Sequence, residues 1–345
     1  MTDQPDTLQT LLQRAIEEHG AGRIAQAEAL YREVLSRVPR QPIALYLFGV
    51  LALQVGRADM APDLIVQSLV EEPDNAEGHF NLGNAYLALN RSADAESSFK
   101  NAIHWQPDYA SAHYNLGNLE KDTGRLVDAE SSFRAAVHHA PDLAQAWCNL
   151  GLVLDLQGRR EEAVDAYRAG LRKAPELAEG HSNLGNVLAG LERHEEAYAS
   201  YRDALAANPL HVVAYRNLGT MLQQDAGTQD AAPPLRRAVL LEPADAENCF
   251  NFGSLMQQSG NFELAVRWNR IALCSRPDYP AAYMGVGRAL LALKDFSAAA
   301  DAFKAAAHGE PDNAVAWGNW AVCVQEQGNL SLASDLYRKS LCLAP

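Results

Sequence analysis

The sequence is short of positive charge. It carries 29 lysines and arginines against 43 aspartates and glutamates, which gives a formal net charge of −14. An acidic surface repels phosphate backbones and anionic lipid headgroups, so we expect neither nucleic acid nor a membrane surface as a partner. The longest apolar stretch, residues 43–55, is too short to span a bilayer and is interrupted by Gln54. Residues 1–7 are polar and lack the basic-then-apolar order of a secretory signal, so we predict a cytoplasmic location.

Cysteines and catalytic motifs are also sparse. The five cysteines form no CxxC or CxxH pair, which argues against a zinc site and against a disulfide framework. The chain has no phosphate-binding glycine loop, no GxSxG motif and no HExxH motif. We therefore predict no catalytic residue, no metal site and no cofactor. The cysteines are Cys148, Cys249, Cys274, Cys323 and Cys342.

What the sequence does have is a period of 34 residues, kept without an insertion or a deletion. One position of the period is proline ten times, and another is alanine ten times. Self-similarity at a constant period of this length is typical of a solenoid, in which each unit buries its apolar face only against its neighbours. The prolines are Pro39, Pro73, Pro107, Pro141, Pro175, Pro209, Pro243, Pro277, Pro311 and Pro345.

One unit, residues 76–109, predicts two helices joined by a tight turn. Its apolar and small residues recur at intervals of three and four, first around Leu82 and again around Phe99, as on one buried helix face. The position between these two stretches is glycine in six units, and glycine just past a helix accepts the left-handed conformation. The proline then ends the second helix, because it has no N–H to donate and restricts the residue before it.

Two further features concern packing inside each unit. The eighth position is glycine in eight successive units, from Gly49 to Gly287. A glycine inside a helix costs about 1 kcal/mol relative to alanine, so we expect the two helices to approach closely there. Pro233 and Pro234 fall where a second helix should begin, and they predict a late or irregular start near Asp230, while Pro62 predicts a milder disturbance.

These positions resemble the tetratricopeptide repeat, and the resemblance covers residues 8–345, after a polar tail of residues 1–7. It implies an all-α, right-handed superhelix (an α-solenoid) of ten helix–turn–helix repeats, whose first helices line a concave groove. It also implies binding of a protein or an extended peptide segment rather than catalysis. In one unit the matching residues are Trp147, Leu150, Gly151, Ala163, Tyr167 and Pro175. The units begin at Leu8, Pro42, Ala76, Ala110, Ala144, Ala178, Val212, Ala246, Pro280 and Ala314.

The candidate binding residues lie on one face of the first helix of each unit, which the resemblance places in the groove. A carboxamide can pair with a peptide group whatever side chain that peptide carries, so a row of asparagines could hold an extended segment by its backbone. The alternative is that the asparagines only bond within or between helices. The asparagines are Asn81, Asn84, Asn115, Asn118, Asn149, Asn183, Asn186, Asn217 and Asn251. Neighbouring aromatic residues that could add apolar contact are Tyr46, Phe80, Tyr114 and Phe250.

Two functions remain open. Long arrays with an asparagine-lined groove resemble those that precede the catalytic region of O-GlcNAc-transferase-like protein glycosyltransferases, including bacterial ones that modify flagellin. The chain would then be the substrate-recognition arm of a larger enzyme. The last unit is apolar to its end, whereas a terminal repeat needs a polar outer face, so we expect a C-terminal continuation or an end-to-end contact there. The alternative is a free-standing adaptor that assembles a multiprotein complex without catalysis.

Overall fold

The computed structural model describes residues 7–225 and 227–343, and within them every regular element is an α-helix. Twenty helices follow one another there as helix–turn–helix pairs, which confirms the predicted all-α repeat array and is consistent with ten repeats. The chain divides into two compact halves, Met1–Ala174 and Pro175–Pro345, which we call the first unit and the second unit. The 34-residue units of the sequence are called repeats from here on. The predicted polar tail, except Thr7, and the last periodic proline, Pro345, lie outside the described residues.

Each repeat consists of an odd-numbered first helix and an even-numbered second helix. The helices of the first unit are α1 Leu8–Gly20, α2 Ile24–Arg37, α3 Pro42–Gln54, α4 Ala61–Glu71, α5 Ala76–Ala88, α6 Ser92–Trp105, α7 Ala110–Asp122, α8 Leu126–His139, α9 Ala144–Leu156 and α10 Arg160–Lys173. The helices of the second unit are α11 Ala178–Gly190, α12 His194–Ala207, α13 Val212–Asp225, α14 Thr228–Leu241, α15 Ala246–Gln258, α16 Phe262–Ser275, α17 Pro280–Ala292, α18 Phe296–Gly309, α19 Ala314–Glu326 and α20 Leu330–Leu343.

The two helices of a repeat pack through glycine at the eighth position. A Cβ atom added to Gly83 would lie 2.5 Å from Cε1 of the Phe99 ring, which is fully buried. Phe99 belongs to the second helix of the same repeat, and its neighbour Ala95 is fully buried too. The glycine is therefore required by the close approach of α5 and α6, as the pattern of small residues predicts.

The turn between the two helices adopts a left-handed conformation. At Gly158 the φ angle is +81°, a value that glycine tolerates without steric cost. In three of the turns that the structure describes, the same position holds a residue with a side chain: Asn90 has φ +57°, Glu192 +59° and Lys294 +63°. Asparagine visits this region with little penalty, but glutamate and lysine do so at a steric cost.

The prolines inside second helices behave differently from the prediction. The late or irregular start expected near Asp230 is wrong, because α14 begins at Thr228 and runs through Pro233 and Pro234. The carbonyls that lose their donors there belong to residues 229 and 230, which are exposed and can bond to water. The late start occurs instead in α4, which begins at Ala61 with Pro62 in its first turn.

In five repeats a histidine or tryptophan at the fourth position of the first helix hydrogen-bonds the loop that precedes this helix. Nε2 of His79 donates to the carbonyl oxygen of Pro73 over 2.9 Å, and Nε1 of Trp147 donates to that of Pro141 over 3.0 Å. His113, His181 and Trp317 make the same bond to the proline six residues earlier. Histidine and tryptophan exchange at this position because each offers an aromatic ring with an N–H donor.

Candidate protein-binding face

In each of the two units the predicted binding residues lie on the same face of the first helices, and we call this face the asparagine face. Its members are the asparagines at the sixth and ninth positions and the aromatic residues at the fifth. Among the asparagines only Asn186 is exposed, and the others are half-buried. Half-burial leaves such a polar group within reach of both a neighbouring helix and a bound segment.

In the first unit the asparagines bond from one repeat to the next. Nδ2 of Asn115 donates to Oδ1 of Asn84 over 2.8 Å, and Nδ2 of Asn149 donates to Oδ1 of Asn118 over 2.8 Å. Asn149 also lies 3.4 Å from the hydroxyl oxygen of Tyr114. Each bond joins the sixth position of one first helix to the preceding first helix. These bonds use only the N–H group of the donating asparagine. The interpretation that the asparagines bond between helices therefore accounts for the nitrogen of that carboxamide and not for its oxygen.

Asn81 has a different partner. The ninth position of the preceding repeat is Val50, which cannot accept a hydrogen bond, and Nδ2 of Asn81 donates instead to the hydroxyl of Tyr46 over 2.7 Å. That hydroxyl also hydrogen-bonds Glu77. Burial, and then the charge of Glu77, raise the pKa of Tyr46 above its ordinary value. The phenol therefore stays protonated, and its O–H group donates a hydrogen bond to the Glu77 carboxylate.

The second unit repeats the pattern in part. Nδ2 of Asn217 donates to Oδ1 of Asn186 over 2.7 Å, and the hydroxyl of Tyr201 donates to the same oxygen over 2.8 Å. The side-chain amides of Asn183 and Asn251 have no hydrogen-bond partner among the described residues of the chain. The structure thus joins most of the predicted asparagines in pairs and leaves two of them available.

In each pair of asparagines, the one that donates the hydrogen bond keeps a free side-chain oxygen. Within the described part of the chain, Oδ1 of Asn115, Asn149 and Asn217 accepts no hydrogen bond, although Nδ2 of each is engaged. The engaged N–H group fixes the orientation of the amide, and the oxygen remains able to accept two bonds. The repeats that contain Asn115, Asn149 and Asn217 can therefore each present one oriented acceptor.

Three aromatic residues of the asparagine face are held in place by contacts with other aromatic rings. The rings of Phe80, Tyr114 and Phe250 each pack against an aromatic residue of their own repeat, so only part of their surface is available to a ligand. The ring-centroid distances are 5.0 Å for Phe80–Tyr109, 6.0 Å for Tyr114–Phe133 and 5.1 Å for Phe250–Tyr279. Rings held in this way provide a rigid apolar surface, which loses little conformational entropy on binding.

In the second unit, asparagines from three successive first helices open onto one cavity. Asn186, Asn217 and Asn251 line a cleft of ≈ 350 Å³ together with Arg216 and Glu247. The Arg216 guanidinium lies 3.3 Å from the Glu247 carboxylate, so its charge is locally compensated. The cleft is therefore polar and close to neutral, which suits a peptide backbone better than an anionic group.

One recurrent feature of the structure was missed by sequence reasoning. A glutamate early in the second helix binds an arginine just before the second helix of the following repeat. The closest N···O distances are 2.6 Å for Arg57–Glu28, 2.7 Å for Arg125–Glu96 and 2.7 Å for Arg159–Glu130. The signal was a glutamate and an arginine separated by 29 residues, but it occurs in only some of the repeats.

The described part of the chain contains neither a metal-binding cluster nor a membrane-spanning helix. Among the described side chains, no group of three or more His, Cys, Asp or Glu residues could hold a metal ion. No helix in the described ranges is long and apolar enough to cross a membrane.

Two family models, both described as tetratricopeptide repeat, match most of the chain. One matches residues 12–77, 80–144, 114–178, 250–314 and 287–345, and the other matches residues 178–209. No curated protein matches the chain at a significant level.

Solved structures share the fold at low sequence identity. PilF of Pseudomonas aeruginosa superposes with a TM-score of 0.54 at 20% identity, covering 59% of this chain and 92% of PilF. A tetratricopeptide repeat protein of Parabacteroides merdae gives a TM-score of 0.52 at 18% identity, covering 68% of this chain and 93% of the other. YrrB, described as a TPR protein with an unusual peptide-binding site, gives a TM-score of 0.47 at 19% identity, covering 53% and 95%.

Proposed function

The chain belongs to the tetratricopeptide repeat family, and from that premise we propose that its asparagine face binds an extended segment of a partner protein. The observation that carries this proposal is the divided role of the carboxamides. Asn115 and Asn149 each use an N–H group to bond the preceding repeat and keep the oxygen free. A peptide N–H can be held by such an oxygen whatever the side chain beside it.

The binding mode follows from the spacing of the acceptors. Asn115 and Asn149 supply the same oriented oxygen in consecutive repeats of the first unit, and Asn217 supplies it in the second unit. A segment lying along the first helices of either unit therefore meets a peptide N–H acceptor where such a repeat occurs. The rings of Phe80, Tyr114 and Phe250 add apolar surface beside it. The neutral polar cleft at Asn186, Asn217 and Asn251 is the part of this face where three repeats converge.

A carboxylate clamp is a weaker candidate mode. Such a clamp needs free lysine or arginine side chains on the binding face, and the structure pairs two of the available bases. Arg216 lies 3.5 Å from Asp245 and 3.3 Å from Glu247, and Lys121 lies 2.9 Å from Asp122. These carboxylates compete with a C-terminal carboxylate of any ligand.

We further propose that the array is the substrate-recognition arm of a larger protein-modifying enzyme, such as a flagellin-type protein glycosyltransferase. This assignment is supported by the resemblance of the insertion-free, asparagine-lined array to the arrays of those enzymes. The exposed leucines of α20, Leu330 and Leu341, offer an apolar surface that an adjoining domain or a second chain could cover. The alternative is a free-standing adaptor, and the genomic sequence downstream of Pro345 distinguishes the two.

The binding proposal is tested with a library of random 12-residue peptides displayed on phage and selected on the whole chain. Selected peptides are synthesised, and their affinities are measured for the wild type and for the Asn115→Ala/Asn149→Ala variant. Loss of two backbone contacts at about 1 kcal/mol each lowers affinity about 10- to 30-fold. The melting temperature should stay close to that of the wild type, because the lost groups are half-buried and water can replace them.

The matched control is Asn101→Ala, which removes an exposed asparagine from α6, outside the asparagine face. It should bind the selected peptides as the wild type does. Equal affinity of the wild type and the double variant, or a loss that merely follows a fall in stability, would assign the asparagines to packing alone.

A further inference from the structure

Two first helices of this chain are near copies of each other. Residues 76–84 read AEGHFNLGN and residues 178–186 read AEGHSNLGN, so α5 and α11 differ over this stretch at one position. That position holds Phe80 in α5 and Ser182 in α11. The pair is an internal comparison, because everything else on this part of the helix face is the same.

In α5 the surface around this position is filled. The Phe80 ring packs against Tyr109 at a centroid distance of 5.0 Å and against Phe99 at 5.9 Å. Glu77 and Asn81, on either side of Phe80, both hydrogen-bond the phenol of Tyr46. A glutamate and an asparagine in this arrangement therefore hold a tyrosine hydroxyl within this protein.

In α11 the corresponding surface is open. A cavity of ≈ 320 Å³ lies beside Ser182, lined also by Glu179, Asn183, Asn208 and His211. Glu179 and Asn183 occupy the helix positions that Glu77 and Asn81 occupy in α5. His211 occupies the repeat position of Tyr109. The missing ring thus leaves a pocket lined by Glu179 and Asn183, whose counterparts in α5 hydrogen-bond the phenol of Tyr46 from the preceding repeat.

The pocket contains polar atoms that nothing in the described chain satisfies. Ser182 is 1% exposed and its Oγ has no hydrogen-bond partner among the described residues, and neither does the buried Nε2 of His211. Burial lowers the pKa of His211, and the charge of Glu179 opposes this effect only in part. The lowered pKa favours a neutral imidazole ring. A neutral imidazole nitrogen and a hydroxyl can each donate or accept.

We propose that this pocket binds the side chain of a tyrosine in the segment held by the asparagine face. The ring lies where Phe80 lies in α5, and the phenol hydroxyl bonds Ser182 Oγ or His211 Nε2. The inference rests on the proposed function for the source of the tyrosine, and it deepens that function by naming a specificity pocket.

Other side chains fit the pocket less well. A phenylalanine would fill the space but gain no hydrogen bond from Ser182 Oγ or His211 Nε2, which are already buried without partners in the free chain. A carboxylate or a phosphorylated tyrosine would bring negative charge to Glu179. The volume of ≈ 320 Å³ is within the range of pockets that enclose a small ligand.

The test uses N-acetyl-tyrosinamide as the probe and N-acetyl-phenylalaninamide as its matched comparison, each titrated into the whole chain. Binding is followed by amide chemical shifts in a 1H–15N TROSY spectrum. We expect shifts at Ser182 and His211, with the tyrosine derivative binding at least about five-fold more tightly, the value of one net hydrogen bond. Absence of these shifts, or equal affinity for the two derivatives, overturns the proposal.

Two variants complete the experiment. Ser182→Phe restores the sequence of α5 and should abolish binding by filling the pocket. Ser182→Ala keeps the space but removes the hydroxyl, and should lower affinity for the tyrosine derivative while leaving that for the phenylalanine derivative unchanged or higher. Unchanged tyrosine binding in Ser182→Phe contradicts the proposed location. If Ser182→Phe fails to fold, Ser182→Ala still decides the role of the hydroxyl.

The result is separable from the proposed function. The probe has no extended backbone, so the Asn115→Ala/Asn149→Ala variant should bind it as the wild type does. Failure of the selected 12-residue peptides with retained binding of N-acetyl-tyrosinamide would remove the backbone-binding function and leave the pocket. The opposite outcome would remove the pocket alone.

Discussion

Arg125 and Glu96 join two consecutive repeats through a two-pronged ion pair. Nη1 of the guanidinium lies 2.9 Å from one carboxylate oxygen and Nη2 lies 2.7 Å from the other. This hydrogen-bonded pair, helped by Lys100, lowers the pKa of Glu96 to about 2. Arg57, helped by Arg32, does the same to Glu28, whose pKa is also about 2. The junctions between these repeats therefore depend on carboxylates that must stay ionised.

The first prediction concerns stability in acid. Because the folded pKa of Glu28 and Glu96 lies below the ordinary value of 4.5, their contribution is present above pH 4.5 and is lost as the pH falls toward 2. The Glu28→Gln/Glu96→Gln variant should be less stable than the wild type at pH 7, by about 0.5–1 kcal/mol per pair. In urea denaturation, the free energies of unfolding of the wild type and of the double variant should converge as the pH is lowered from 7 to 2.

Glu242→Gln is the control for this series, because Glu242 is exposed and has no ion pair among the described residues. Its stability should follow that of the wild type across the same range. A constant difference between the double variant and the wild type down to pH 2 would show that these pairs do not carry the acid sensitivity.

The second prediction concerns the packing inside a repeat. Gly83→Ala places a methyl group 2.5 Å from the fully buried Phe99 ring, so α5 and α6 must separate. Overpacking of this kind should lower the free energy of unfolding by about 1–3 kcal/mol. Gly20→Ala is the matched control, because nothing lies within 4 Å of the added atom. Equal stability of the two variants in urea denaturation would show that the close approach is not needed.

The third prediction concerns the turns that lack glycine. Glu192→Gly and Lys294→Gly should each stabilise the chain by about 1 kcal/mol, because the side chain is held at a positive φ of 59° and 63° respectively. Asn90→Gly, at φ +57°, should gain less, since asparagine tolerates this conformation. Thermal unfolding followed by circular dichroism measures the three shifts. A gain for Asn90→Gly as large as that for Glu192→Gly would contradict the argument.

The helix–turn–helix array could be predicted from the sequence because its signals are local. Glycine at the turn and proline after the second helix act within a few residues, and the period repeats them often enough to remove ambiguity. The failure at Pro233 and Pro234 has a different origin, which is not local. Residues 229 and 230, whose carbonyls lose their donors, are exposed and can bond to water, and this exposure depends on how α14 packs.

The site was less predictable because its chemistry depends on neighbouring repeats. Which half of the Asn149 carboxamide is engaged follows from the position of Asn118, and no pattern in one helix states it. The pocket at Ser182 is harder still to find, since it arises where a ring is missing. A serine in a sequence gives no positive sign of a cavity, and only the comparison with Phe80 exposes it.

The Asn149–Asn118 bond has a consequence for how such a chain can change in length. Its donor and acceptor stand at register positions that recur every 34 residues, and Asn84 stands one period before Asn118. Excision of residues 110–143 would bring Asn149 opposite Asn84 and recreate the same joint. Gene duplication or deletion of a whole period within this stretch can therefore change the number of repeats while the Asn–Asn bond between neighbouring first helices is kept.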